Sequence, residues 1–180
     1  MTEKEFLNKI LTDSKVKLSD EFDKNFERKA FFDKKWPTPK LYNRLGSPMQ
    51  RTGKLRQSYL NPKIIGNGIV WSSSMPYADI MNNGGEIVVT EKMKRFFWAM
   101  YYKSAGAIKG KSDSERNLKL TKEAEQWKAL ALKKIGNKMK IEQRQVIGHH
   151  PEVDKAIKQV IDKNLKEFND DFKHNFLLKR

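Results

Sequence analysis

A chain of 180 residues and 21.1 kDa is long enough for one domain of ordinary size and too short for two large ones. Lys and Arg number 37 against 22 Asp and Glu, a net charge of +15 that excludes an acidic solvating tail and suits a polyanion or an acidic partner. No cysteine occurs, so disulfides, thiol nucleophiles and cysteine metal sites are excluded, and no apolar run approaches the roughly 20 residues that span a bilayer. The charged opening Met1-Thr2-Glu3-Lys4-Glu5 lacks the apolar stretch of a signal peptide, which points to a protein made in the cytosol.

In chain order, residues 2–32 predict a helix. Thr2 with Glu5 fits a capping box, and Leu7, Leu11, Leu18, Phe22, Phe26 and Ala30 fall on one stripe. Thr12-Asp13-Ser14 is weak by propensity and could divide it. Trp36-Pro37-Thr38-Pro39 ends the helix, because proline pushes the preceding residue out of the helical region. Residues 33–57 read as a basic connecting loop. Lys34, Lys35, Lys40, Arg44, Arg51, Lys54 and Arg56 face Asp33 alone there.

Residues 58–89 predict a hairpin and a third strand. Ser58–Ile65 and Ile69–Ser74 flank a Gly66-Asn67-Gly68 turn, and Pro62 suits only an edge. Pro76 to Met81 predicts a short turn or helix stopped by Asn82-Asn83-Gly84-Gly85, before a strand at Glu86–Val89. Residues 90–135 predict two helices, the first capped by Thr90 with a stripe of Met93, Phe96, Phe97, Met100 and Tyr101. The second runs from Thr121 to Ile135, with Trp127, Leu130 and Ala131 on one face. Between them, residues 103–119 are polar, aperiodic and glycine-bearing, and read as a mobile loop or insertion. A strand over 140–148 follows. A helix over 151–178 then starts at Pro151, with an apolar stripe from Val153 to Phe176. The order predicts one α+β domain over 1–180: a small, mostly antiparallel sheet packed by long N- and C-terminal helices and one or two central helices.

Catalysis finds little support. His149 and His150 are adjacent, so they would point apart in a strand, and no carboxylate stands at helical ligand spacing from either. They read as a turn that places an imidazole at the N-cap of the last helix. No nucleophile elbow, zinc-helix or phosphate-loop pattern occurs, and neither a metal nor a cofactor is expected. The four tryptophans are scattered over separate elements, which suits core and subunit contacts better than one base-stacking platform.

Three stretches together resemble a known family. Trp36-Pro37, then Gln50-Arg51-Thr52-Gly53-Lys54-Leu55-Arg56-Gln57-Ser58, are similar to the "W-P … L-x-x-T-G-x-L-R-x-S" signature of tailed-phage virion morphogenesis proteins, also called tail-completion or head–tail joining proteins. Pro76-Tyr77-Ala78-Asp79-Ile80 with Asn82-Asn83-Gly84-Gly85 resembles that family's "Y-A-x-I-H-x-x-G-G", with Met81 where histidine is usual. Lys140 to Gly148 resembles "I-P-x-R-x-F-hydrophobic-G" around Arg144. Glu142 or Gln143 stands where proline is usual, and Val146 where phenylalanine is. The resemblance spans roughly residues 36–165. It implies a structural virion protein at the phage neck or tail top, a homo-oligomeric and sixfold ring in the virion, and connector and tail-tube proteins as neighbours. Physically, Thr52-Gly53 would make a tight turn delivering Leu55 and Ser58 into the first strand. Tyr77 and Ala78 would pack the short turn onto the hairpin, and Gly84-Gly85 would reverse the chain.

The two basic segments hold most of the charge excess. The second, 103–144, has twelve bases against five acids. Its expected docking loop is Lys109, Lys111, Arg116 and Lys119, facing acidic surfaces of neighbours. Lysines dominate both segments, and lysine is a point charge rather than a rigid bidentate reader of bases. The alternative on charge alone is a nonspecific nucleic-acid-binding protein; an α-helix for the major groove or an RNA-binding signature is not recognisable.

Overall fold

A computed structural model describes residues 2–39, 47, 49–110 and 113–177, the side chains of 175–177 excepted. The class is α+β, with long helices at both ends and two central ones. Among the described residues the strands form three separate two-stranded antiparallel pairs rather than one small sheet. The chain folds as two compact units. One comprises Met1–Trp36, Gly53–Ala78 and Gln145–Arg180, the other Pro37–Thr52 and Asp79–Arg144.

In the first unit, α1 (Glu3–Arg28) starts at the expected capping box, with Glu5 N–H donating to Thr2 Oγ1 at 3.3 Å and Thr2 N–H to Glu5 Oε2 at 2.7 Å. The weak stretch at 12–14 does not break it: Thr12 Oγ1 donates to Asn8 O at 2.8 Å, and Asp13 Oδ2 accepts from Asn164 at 2.9 Å. The helix ends four residues before the expected boundary. Lys29 turns left-handed at φ +52°, and β1 (Ala30–Phe31) and β2 (Lys34–Lys35) make a tiny hairpin with Phe32 at φ +53°. Positive φ costs a non-glycine residue about 1–2 kcal/mol. Here it is held by Asn25, fully buried, whose Oδ1 accepts from Phe32 N–H and whose Nδ2 donates to Val146 O, both at 3.0 Å.

The hairpin after this is shorter than its sequence suggests. Residues 54–58 form a helical turn, α2 (Lys54–Ser58), and only Lys63–Ile65 (β3) and Gly68–Val70 (β4) pair. Pro62 lies just before β3. α6 (Pro151–Leu177) packs antiparallel on α1: Phe6 meets Phe168, Lys9 meets Glu167, and Leu18 and Phe22 share a core with Phe31, Val153 and Ala156. Each buried phenylalanine there contributes about 1.5–3 kcal/mol. The expected stripe of α6 is buried at Val153 and Val160, whereas Leu165 and Phe172 are exposed.

In the second unit, α3 (Ala78–Asn83), begun at the end of the first, leads into β5 (Gly85–Val88). β5 pairs with β6 (Lys138–Ile141), two residues earlier than expected and ending at 141. α4 (Glu91–Gly106) is capped by Thr90. α5 (Glu115–Ala131), capped by Ser114, starts six residues before the expected Thr121, so the stretch read as a loop over 103–119 is helix at both its ends, 103–106 and 115–119. The buried Asn117 explains the difference: its Nδ2 donates to Lys109 O at 2.9 Å and fastens the connection to the first turn of α5. Phe97, Leu130 and Ala131 form the core between α4 and α5, with Met93, Trp98, Trp127 and Met139 around it.

Candidate functional site

The residues that carry the resemblance are gathered within each unit into bonds between distant segments. In the first unit the Trp36 indole donates to Gln145 O at 2.7 Å and stands edge-on to Phe26. Val146, buried, gives its carbonyl to Asn25. Gly148 lies at φ +145°, and a Cβ there would collide with the Gln145 side-chain amide. In the second unit the Arg144 backbone N–H donates to Met81 O at 2.8 Å. Its side chain is buried, and Nη2 donates to Pro37 O at 3.2 Å. Gly84, at φ +72°, lies directly against the Gln143 backbone. The first and third motifs, more than 100 residues apart in sequence, are thus tied at two consecutive positions, Trp36 to Gln145 and Pro37 to Arg144.

The T-G-x-L-R-x-S stretch is a second cluster. Gly53 is the N-cap of α2 at φ +69°. A turn at Gly53 is as expected, but it delivers Leu55 and Ser58 into a helix, not a strand. Leu55 is buried. Arg56 makes a bidentate pair with Asp23, both bonds 2.5 Å, and reaches Glu27 at 2.8 Å, which binds α2 to the C-terminal turns of α1. The bonds from Asp23 and Glu27 raise the already high pKa of the guanidinium, so this arginine is a fixed cation. Ser58 Oγ donates to Leu55 O at 2.7 Å and lies 2.6 Å from Ser73 Oγ. Arg51 and Thr52 are exposed. Of the pair expected to pack the short turn, Ala78 is buried, but Tyr77 is exposed, so the packing role falls to the alanine alone. Gly85 lies at φ +142°, and a Cβ there would stand 3.2 Å from Ile80 Cδ1.

The basic docking loop is only partly available. Lys111 lies outside the described residues, as do Lys40 and Arg44 of the first basic segment. Arg116 and Lys119 stand on α5 rather than on a loop. Arg116 donates to Ala107 O at 3.2 Å, and Lys119 pairs with Glu115. Helical spacing of i and i+4 explains the second pairing. Lys109 is exposed. Among the described residues, cations without an ion pair stand instead on α4, at Lys92, Lys94, Arg95 and Lys103, with exposed aromatics among them. A sequence signal for that face existed: Arg95, Ala99 and Tyr102 recur at helical spacing opposite Phe97.

His150 fills the capping role expected of it. Its Nδ1 accepts from Glu152 N–H at 3.2 Å, which leaves Nε2 to donate to Asp33 Oδ1 at 2.8 Å, and the ring stacks on Phe32. The bond from His150 holds the Asp33 carboxyl below its ordinary pKa. The adjoining cleft, about 440 Å³, is lined by opposite charges that neutralise one another, Arg28 with Glu21 at 3.0 Å and Lys155 with Glu152 at 2.5 Å. Among the described residues no three His, Asp or Glu side chains come together as a metal site, and no helix is long and apolar enough to cross a membrane. These bonds cross-link distant segments within each unit. No protein-family model matches the chain, and neither a curated protein nor a solved structure does.

Proposed function

We propose that this chain is a structural virion protein of a tailed phage, acting in head–tail joining or tail completion as one subunit of a homo-oligomeric ring at the neck or tail top. The observation that carries the reading is the use made of the motif residues. Trp36, Arg56, Ser58, Gly84 and Arg144 are spent on bonds and close approaches that brace the fold. Residues used for bracing suit an assembly part, whereas an enzyme would hold some of them in a cleft with a reactive atom exposed. The neighbours in this reading are connector and tail-tube proteins and further copies of the chain. The short β3–β4 hairpin supports subunit contact, since Ile65 and Val70 are exposed on a two-stranded pair with open edges.

The test is deletion of the gene from the phage that encodes it. DNA-filled heads and separate tails, rescued by the protein supplied in trans and with the protein present in purified virions, support the reading. Joined, infectious particles without the protein sink it. A second reading, nonspecific binding of nucleic acid, is favoured by the second unit alone, where 18 bases face 8 acids. It requires an affinity for unrelated duplexes that falls steeply with salt.

A further inference from the structure

We infer that the outward face of α4 is a docking surface for an acidic amphipathic helix of a partner protein. This goes beyond the assembly reading and stands on its own observations. α4 turns Phe97 and Ser104 inward, and its opposite side is exposed over 16 residues, about 24 Å of helix. Three exposed cations on it, Lys92, Arg95 and Lys103, face one acid, Glu91, and none of the three is in an ion pair among the described residues. The unit to which α4 belongs already carries two-thirds of the net charge, 18 bases against 8 acids. A like-charged helix left uncompensated on a like-charged unit repels itself, and a partner with carboxylates relieves that repulsion.

Charge alone would suit any polyanion; the apolar detail favours protein. Tyr102 is 66% exposed and Phe96 53%, and both flank the exposed Ala99 by one helical turn. A small residue walled by Arg95, Phe96, Tyr102 and Lys103 at i±3 and i±4 is a hole of the shape that receives an aliphatic knob from a facing helix. Arg, Tyr and Trp are also the side chains that anchor protein interfaces. Single-stranded nucleic acid would instead need successive free ring faces. Trp98 has none to offer on that side: it stacks on Tyr102 at 5.9 Å and packs its other side on the core of Phe97, Leu130 and Ala131.

The experiment uses the full-length protein and a fluorescein-labelled peptide of three heptads, with Leu at the first and fourth positions, Glu beside them and Ala elsewhere. The controls are the same peptide with Gln for Glu and a twenty-base oligothymidylate. Anisotropy should show the Glu peptide binding more tightly than both controls. Tyr102→Ser should weaken it by about tenfold, and so should the pair Arg95→Glu with Lys103→Glu. The pair Lys158→Glu with Lys166→Glu, an equal charge change on exposed positions of α6, should leave it within about twofold. All substituted positions are at the surface, and unchanged melting curves establish that the variants fold. Equal binding by wild type and Tyr102→Ser overturns the assignment. Tighter binding of oligothymidylate, lost with Tyr102→Ser, also overturns it and makes the face a nucleic-acid platform.

Discussion

Gly84 and Gly53 share a left-handed backbone, at φ +72° and +69°, but differ in surroundings. A Cβ at Gly53 would meet nothing within 4 Å, whereas one at Gly84 would stand 3.0 Å from the Gln143 backbone nitrogen and 3.2 Å from its Cα. Alanine at Gly53 therefore costs only the left-handed conformation, about 1–2 kcal/mol. At Gly84 it adds an overlap with main chain, which cannot swing aside as a flexible side chain would. Overpacking of that kind costs about 1–3 kcal/mol, so the expected total is about 3 kcal/mol. Asparagine separates the two terms, because it tolerates the left-handed region but still carries a Cβ. Gly53→Asn should be close to neutral and Gly84→Asn should still lose about 2 kcal/mol. Urea unfolding followed by tryptophan fluorescence reads both units, since Trp36 and Trp71 lie in the first and Trp98 and Trp127 in the second. If Gly84→Asn unfolds at the same urea concentration as Gly53→Asn, the contact with Gln143 has no energetic weight and the packing argument fails.

Asn25→Leu leaves the Phe32 amide and the Val146 carbonyl buried without their partner, an expected loss of about 2–4 kcal/mol measurable by the same unfolding curves. Arg56→Lys keeps the charge but not the fork that meets Asp23 with two bonds, and should cost about 1 kcal/mol while charge-only accounting predicts none; a melting comparison with Arg56→Gln decides between them. Asp33, Glu5 and Glu167 all have carboxyls held below their ordinary pKa by hydrogen bonds, from His150, Thr2 and Lys9 respectively. Groups of this kind stabilise the fold above their unfolded pKa of 3.8–4.5 and lose that contribution as pH falls through the lower folded value. Stability should accordingly be level just above about pH 5 and decline below it, and Asp33→Asn should flatten that decline; a decline of the same steepness in the variant would remove Asp33 from the account.

Local signals were enough for the elements whose ends are decided by neighbours in sequence. The Thr2–Glu5 capping box, Thr90 before α4, Pro151 opening α6 and Gly84 closing α3 are all found where the residues place them, because each satisfies backbone groups within one turn of itself. The helical stripes likewise located the core of α1 at Leu18, Phe22 and Phe26. Elements fixed by partners far along the chain were not legible. The end of α1 at Arg28 depends on Asn25 bonding Val146, 121 residues away, and the start of α5 depends on Asn117 reaching back to Lys109. An asparagine in a helix carries no mark of being buried until its partner is in place. The candidate site divides the same way. Trp36, Gly84 and Arg144 could be singled out from their motifs, yet their contacts with Gln145, Gln143 and Pro37 needed the tertiary structure. Charge shows the limit most plainly: composition gives the total, but only the fold shows Arg56, Arg116 and Lys119 used internally and Lys92, Arg95 and Lys103 left facing outward, because ion pairing depends on which carboxylates the packing brings within reach.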